Sequence, residues 1–139
     1  PTSVYTPTQA VPTPTPTQHS GELGVELEMP AHYYSPGDTC WLKAYIHNRT
    51  GEQIQDVPFF VILDILGSYW FYPSWATEAD FDTITVLNGT RKIDILDTFN
   101  WPSTGGQSLD GIKFWGAMTN PSITELRGYL GQWEFGFGD

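Results

Sequence analysis

TCWLKAYIHN, residues 39–48, alternates without a break: Cys40, Leu42, Ala44 and Ile46 fall on one side, Trp41, Lys43, Tyr45 and His47 on the other. Successive side chains of an extended chain point to opposite faces, so a period of two predicts a strand with one face in a core and the other half exposed. Upstream, residues 24–29 repeat the pattern, with Val25, Leu27 and Met29 set against Glu26 and Glu28. Between the two segments lies Ser35-Pro36-Gly37-Asp38, a tight-turn signal, so the segments are expected to pair. In this frame Cys40 reads as a small buried hydrophobe; an inter-subunit disulfide is the alternative for a lone thiol.

Downstream, residues 82–87 and 91–98 flank Asn88-Gly89, a strong short signal for a hairpin with a type I′ turn. Further strands are predicted over 57–66, 69–72, 111–118 and 132–137, and one short helix over 121–127, capped by Asn120 and ended by Gly128. Seven or eight short strands with turn signals between them predict an antiparallel β-sandwich of immunoglobulin-like type, with a jelly roll as runner-up. Segment 57–66 is apolar on both faces: Phe59, Val61, Leu63 and Ile65 on one, Phe60, Ile62 and Leu66 on the other. Such a strand needs cover on both sides, from the chain's own loops or from another chain.

The first twenty residues, PTSVYTPTQAVPTPTPTQHS, read differently. They hold no Asp, Glu, Lys or Arg, yet contain six threonines and five prolines. Residues 1–21 are therefore expected to form a Pro/Thr-rich extended arm or linker with no core of its own, and 22–139 a single β domain. Thr6, Thr8, Thr13, Thr15 and Thr17 are candidate O-glycosylation acceptors on that arm. Asn48 and Asn88 begin N-x-Thr sequons, although Asn88 is also what a type I′ turn requires. The chain opens on Pro1 rather than Met, which is read as a processed terminus or a removed export signal.

Composition narrows the function classes. Six basic against sixteen acidic residues give a formal charge of −10, which repels nucleic acid and anionic lipid. No run approaches the ~20 apolar residues of a membrane-spanning helix. No catalytic motif surrounds His19, His32 or His47, so no enzyme activity, cofactor or metal is expected. Asp80, Asp82, Asp94 and Asp97 would converge across an Asn-Gly hairpin, and are read as solvated carboxylates rather than as a calcium or hydrolytic site. Aromatic residues crowd GSYWFYPSW, 67–75; Trp70, Tyr72 and Trp75, with Trp41, are the candidate platform for stacking on sugar rings.

Read together, YYSPGDTCWLKAYIHN, VPFFVILDILGSYWFYPSW and AMTNPSITELRGYLGQWEFGFGD resemble a module of large secreted and cell-surface proteins of environmental bacteria. The resemblance spans most of residues 23–139. It is most specific from Val61 to Trp75, at Leu63-Asp64, Gly67, Tyr69-Trp70-Phe71 and Pro73-Ser74-Trp75. It implies an immunoglobulin-like sandwich, an extracellular or cell-surface location and a structural or adhesive role. The resulting expectation is a non-enzymatic subunit that polymerises into a fibril or surface appendage. Its arm would dock on a neighbouring copy through Val4, Tyr5 and Val11 and add hydrogen bonds to a sheet edge. The alternative is a carbohydrate-binding module on an O-glycosylated tether, with glycans as partners.

Overall fold

The structure, a computed structural model, describes residues 22–139, so Val4, Tyr5, Val11 and the threonines of the arm lie outside the described residues. Nine strands occur among those described: β1 (Leu23–Glu28), β2 (Tyr33–Tyr34), β3 (Thr39–Asn48), β4 (Ile54–Ile65), β5 (Ser68–Phe71), β6 (Asp82–Val86), β7 (Gly89–Asn100), β8 (Leu109–Met118) and β9 (Gly131–Phe137). They form a three-stranded sheet, β1-β3-β7, and a six-stranded sheet, β2-β9-β8-β4-β5, with β6 also on β4. All pairings are antiparallel except the short β2–β9 contact. Among the described residues no helix is long and apolar enough to cross a membrane.

Alternation does in three dimensions what it predicted. Cys40, Leu42, Ala44 and Ile46 of β3 are buried together with Val25 and Leu27 of β1, and they meet Phe59, Val61, Ile112 and Phe114 of the larger sheet. β1 and β3 pair from Leu23 opposite Asn48 to Glu28 opposite Lys43, as the turn at 35–38 led one to expect. The outer face of β4 is covered by its own chain only in part: Phe60 is 8% exposed with its ring 5.0 Å from Phe81, whereas Ile62 is half-buried and Leu66, just past the strand, is 71% exposed.

Two expectations fail. The strands flanking Asn88-Gly89 exist, but they do not pair with each other; β6 pairs with β4 and β7 with β3. β3 and β4 belong to opposite sheets, and the chain satisfies an open edge of each by crossing from one sheet to the other at Asn88. Burial of Val86 and Ile95 in the shared core outweighs the local turn preference. The helix over 121–127 is absent, and that segment is a loop. Asn120 still caps, its Oδ1 accepting from the backbone N–H of Thr124 (2.9 Å) and Glu125 (3.0 Å). Ser122, Thr124 and Asn120 hydrogen-bond one another, and Ile123 has φ 56°, so local side-chain bonding replaces helical bonding.

Cys40 is fully buried, and burial pushes its thiol pKa up. Below the ordinary thiol range of about 8.5 both folded and unfolded chains keep the proton; above it the unfolded chain loses its proton first, so this group's contribution to stability falls as pH rises. Native protein at pH 8 should leave Cys40 unmodified by a thiol reagent that labels it at once in denaturant. Rapid labelling of the native chain would contradict the assigned burial.

Candidate functional site

Register places the two poles of the three-stranded sheet. Leu23, Asn48 and Gly89 share a row at one pole, and Thr39 pairs with Asn100 at the other. The ten residues of β3 separate these rows by about 30 Å at the ordinary strand rise. The arm joins at the Leu23 pole, and β1 runs from there toward the other.

At the Thr39 pole an apolar cavity of about 210 Å³ opens between the sheets, lined by Cys40, Leu96, Phe99 and Trp101 with Leu63 and Phe137, among others. Met29, just past the end of β1, also lines it. Trp101 is pinned there. Its backbone N–H donates to Asp38 O (2.7 Å), its carbonyl accepts from Gly37 N–H (2.8 Å), and its ring stacks on Tyr34 at 5.2 Å. The indole Nε1–H is buried without an acceptor among the described residues. Tyr34 is fully buried, its hydroxyl donating to Ala31 O (2.8 Å), and burial pushes its phenol well above the ordinary range. Phe99, at 37% exposure, is the cavity residue most open to solvent. It belongs to β7, a twelve-residue strand that pairs with β3 on one side and with no described strand on the other.

A larger hollow of about 580 Å³ lies between β1 and β9, walled by Glu26, Glu28, Tyr45, Gln132 and Trp133. Its wall mixes polar and apolar surface, Leu27 and Leu130 among the latter, and the two strands are already tied at one end. Val25 N–H donates to Tyr129 O (3.1 Å), and Gly131 lies so close to Val25 that a Cβ on it would come within 2.6 Å of the Val25 carbonyl oxygen.

The proposed sugar platform is not assembled. Tyr72 and Trp75 pack against the core, Tyr72 against Phe59 (6.4 Å) and Trp75 against Phe114 (6.1 Å). Trp70 sits opposite Leu63, on the face of β4 that looks inward. Trp41 is on the other sheet, with Lys43 Nζ 4.4 Å above its ring. The structure instead aligns residues that the aromatic density of 67–75 did not reveal. On the outer face of the six-stranded sheet, Phe71, Ile62, Trp115 and Gln132 form one row, and Tyr69, Asp64, Lys113 and Glu134 the next. Trp115 Nε1–H donates to Asp64 Oδ2 (3.2 Å). The alternation of residues 111–118, which sets Trp115 opposite in face to Phe114, was the available signal.

Of the two sequon asparagines, Asn48 is fully buried; its Nδ2 donates to Glu52 O (2.7 Å), so the nitrogen a glycan would occupy faces inward. Asn88 is exposed, with Oδ1 accepting from Gly51 N–H (3.2 Å). The aspartates do not converge, because the hairpin that would have joined them does not form. Asp82 lies opposite Phe59, Asp94 opposite Lys43, and Asp80 accepts from the Ser74 side chain, which does most to lower its pKa, and from the backbone of Phe81 and Ser74. No group of three or more His, Cys, Asp or Glu among the described residues is placed to hold a metal ion. One polar line was not foreseen: His47 Nε2 meets Glu26 Oε1 at 2.6 Å and its Nδ1 meets Thr90 Oγ1 at 2.9 Å. These residues come from β1, β3 and β7 on the outward face, with Glu26 48% exposed, so the line clamps three strands in contact with water.

Comparison with solved structures agrees with the fold. The CARDB domain of the PF1109 protein from Pyrococcus furiosus, in a crystal structure with di-metal ions, matches with TM-score 0.52 at 13% identity, covering 83% of this chain and 91% of that one. The solution structure of the same domain gives TM-score 0.53 at 11% identity, with coverages of 84% and 94%. No family model matches the sequence, and no curated protein matches it. The described residues form an immunoglobulin-like β-sandwich.

Proposed function

We propose that the protein is a non-enzymatic, extracellular structural subunit that assembles by docking its N-terminal arm on a neighbouring copy. The observation that supports this reading is the polar opposition of the chain's entry and its open apolar end. The arm joins at Leu23, whereas the cavity and the Phe99 end of β7's unpaired edge lie about 30 Å away along the sheet. A contact between unlike ends is not a two-fold dimer contact, and it propagates into a filament wherever its rotation does not close a ring. The arm is uncharged, so it approaches a surface of net charge −10 without like-charge repulsion. Removing residues 1–20 should leave a folded monomer by sedimentation and circular dichroism, while the full chain forms filaments visible by electron microscopy. Filaments from the truncated chain would refute the arm as the connector.

A second reading rests on the outer face of the six-stranded sheet, where exposed Tyr69 and half-buried Phe71 and Trp115 are flanked by Asp64, Lys113, Glu134 and Gln132. Aromatic side chains with polar neighbours suit a sugar ring. On this reading the module is a tethered glycan binder, with O-linked sugar on the arm threonines.

A further inference from the structure

We propose that the cavity beside Trp101 is the receptor for Tyr5 of a second copy of the chain; this rests on the assembly reading above and specifies its contact. Four observations converge. The cavity, at about 210 Å³, is smaller than the ~300–1,000 Å³ of ordinary small-molecule sites and suits one side chain. Its lining is aliphatic and aromatic, with Phe99 and Trp101 on one side and Phe137 on the other, which favours a ring. Phe99, which lines the cavity, is 37% exposed, so the cavity can be reached from solvent. Tyr5 is the only Phe, Tyr or Trp in the first 21 residues, so it is the ring the arm has to offer.

The direction of β1 and the composition of the arm favour the neighbour's cavity over the chain's own. β1 runs toward the cavity pole, so the residues preceding Leu23 leave from the opposite pole, and a copy stacked there presents its own cavity to the arm. The Pro12-Thr13-Pro14-Thr15-Pro16-Thr17 run has the composition of a stiff polyproline-II spacer, advancing about 3 Å per residue, which opposes a return to the parent domain. From Tyr5 to Glu22 the tether reaches at most about 50 Å at that rise. With Tyr5 seated, the residues beside it lie against the last residues of β7, whose outer edge has no described partner.

Disulfide trapping on the full-length chain tests this. In a Cys40→Ala background that keeps Tyr5, chains carrying Thr6→Cys are mixed with chains carrying Phe99→Cys and, as a control, with chains carrying Leu87→Cys, an exposed site at the other pole. The expected result is a covalent heterodimer with Phe99→Cys at least about tenfold above the control. Separately, Tyr5→Phe should assemble within about twofold of the parent, because the ring is what fills an apolar cavity, whereas Tyr5→Ala should weaken assembly by roughly a hundredfold or more. A disulfide within a single Thr6→Cys/Phe99→Cys chain at high dilution overturns the proposal in favour of self-docking. Normal filaments without the Phe99→Cys cross-link overturn the cavity assignment and leave the assembly reading standing. Absence of any filament from the unmodified chain overturns both.

Discussion

Gly128→Ala should destabilise the domain by about 3 kcal/mol, lowering its thermal midpoint by roughly 10 °C, because the residue is constrained twice over. Its φ is +74°, where a side chain costs about 1–2 kcal/mol. A Cβ there would also lie 2.0 Å from the Leu23 carbonyl oxygen, which is backbone and can move only by shifting the start of β1. That displacement adds a penalty of the overpacking kind, about 1–3 kcal/mol. It would also break the paired contacts at this point, Tyr129 N–H to Leu23 O at 3.0 Å and Val25 N–H to Tyr129 O at 3.1 Å. Gly51→Ala is the control, with φ +86° but open space around the position of a Cβ. Only the backbone cost applies there, so thermal melts of the two variants should differ by several degrees. Equal losses would mean that the close approach of 128 to β1 is not what stabilises this corner.

Asn48→Ala should cost a comparable amount, about 3 kcal/mol, by a different route. The fully buried amide donates to Glu52 O (2.7 Å) and accepts from Thr50 N–H (3.0 Å) and Thr50 Oγ1 (2.7 Å), which together shape the β3–β4 turn. Removing it takes away three hydrogen bonds at once and leaves the part-buried Thr50 N–H and Glu52 carbonyl without their partner, at about 1 kcal/mol for each bond lost. Asn48→Asp separates hydrogen bonding from charge. It keeps an acceptor for Thr50 but turns a carboxylate toward the Glu52 carbonyl in a buried site. It should therefore be less stable than Asn48→Ala at pH 7, with the difference closing as pH falls and the carboxyl protonates. Urea melts across pH 4 to 7 read this directly; an Asp variant as stable as the parent at pH 7 would show the site to be solvated.

The residues that failed to behave as their local signals suggested share a cause. Asn88-Gly89 has the chemistry of a hairpin turn, yet its flanking strands found longer partners in β3 and β4, with β7 and β3 paired from Asn48–Gly89 to Thr39–Asn100 through two register shifts around Leu42. Trp75 sits in a loop that sequence reading left at the surface, and it turns inward to meet Phe114. Asn120 capped a turn instead of a helix, since the segment 121–127 is short, its Ser122 and Thr124 bond Asn120, and its Ile123 and Leu126 stay exposed rather than joining the core. Trp115 was legible only as an outward position in an alternating strand; that it shares a row with Phe71 and Ile62 depends on register across three strands. The cavity was not legible at all. It arises where Leu96 and Phe99 of one sheet face Leu63 and Ile65 of the other, and no local pattern encodes the distance between sheets.

By itself the sequence determined which side chains go inward, because the period of a strand is two and each residue's face follows from its neighbours. It also set residues 1–21 apart by composition, since an uncharged Pro/Thr run with only scattered apolar side chains carries no alternating face. Which edges meet, where the sheets part, and at which pole the chain enters were decided only in the tertiary structure. Those features depend on contacts between residues tens of positions apart, whose free energies are settled by the packing of the whole sandwich.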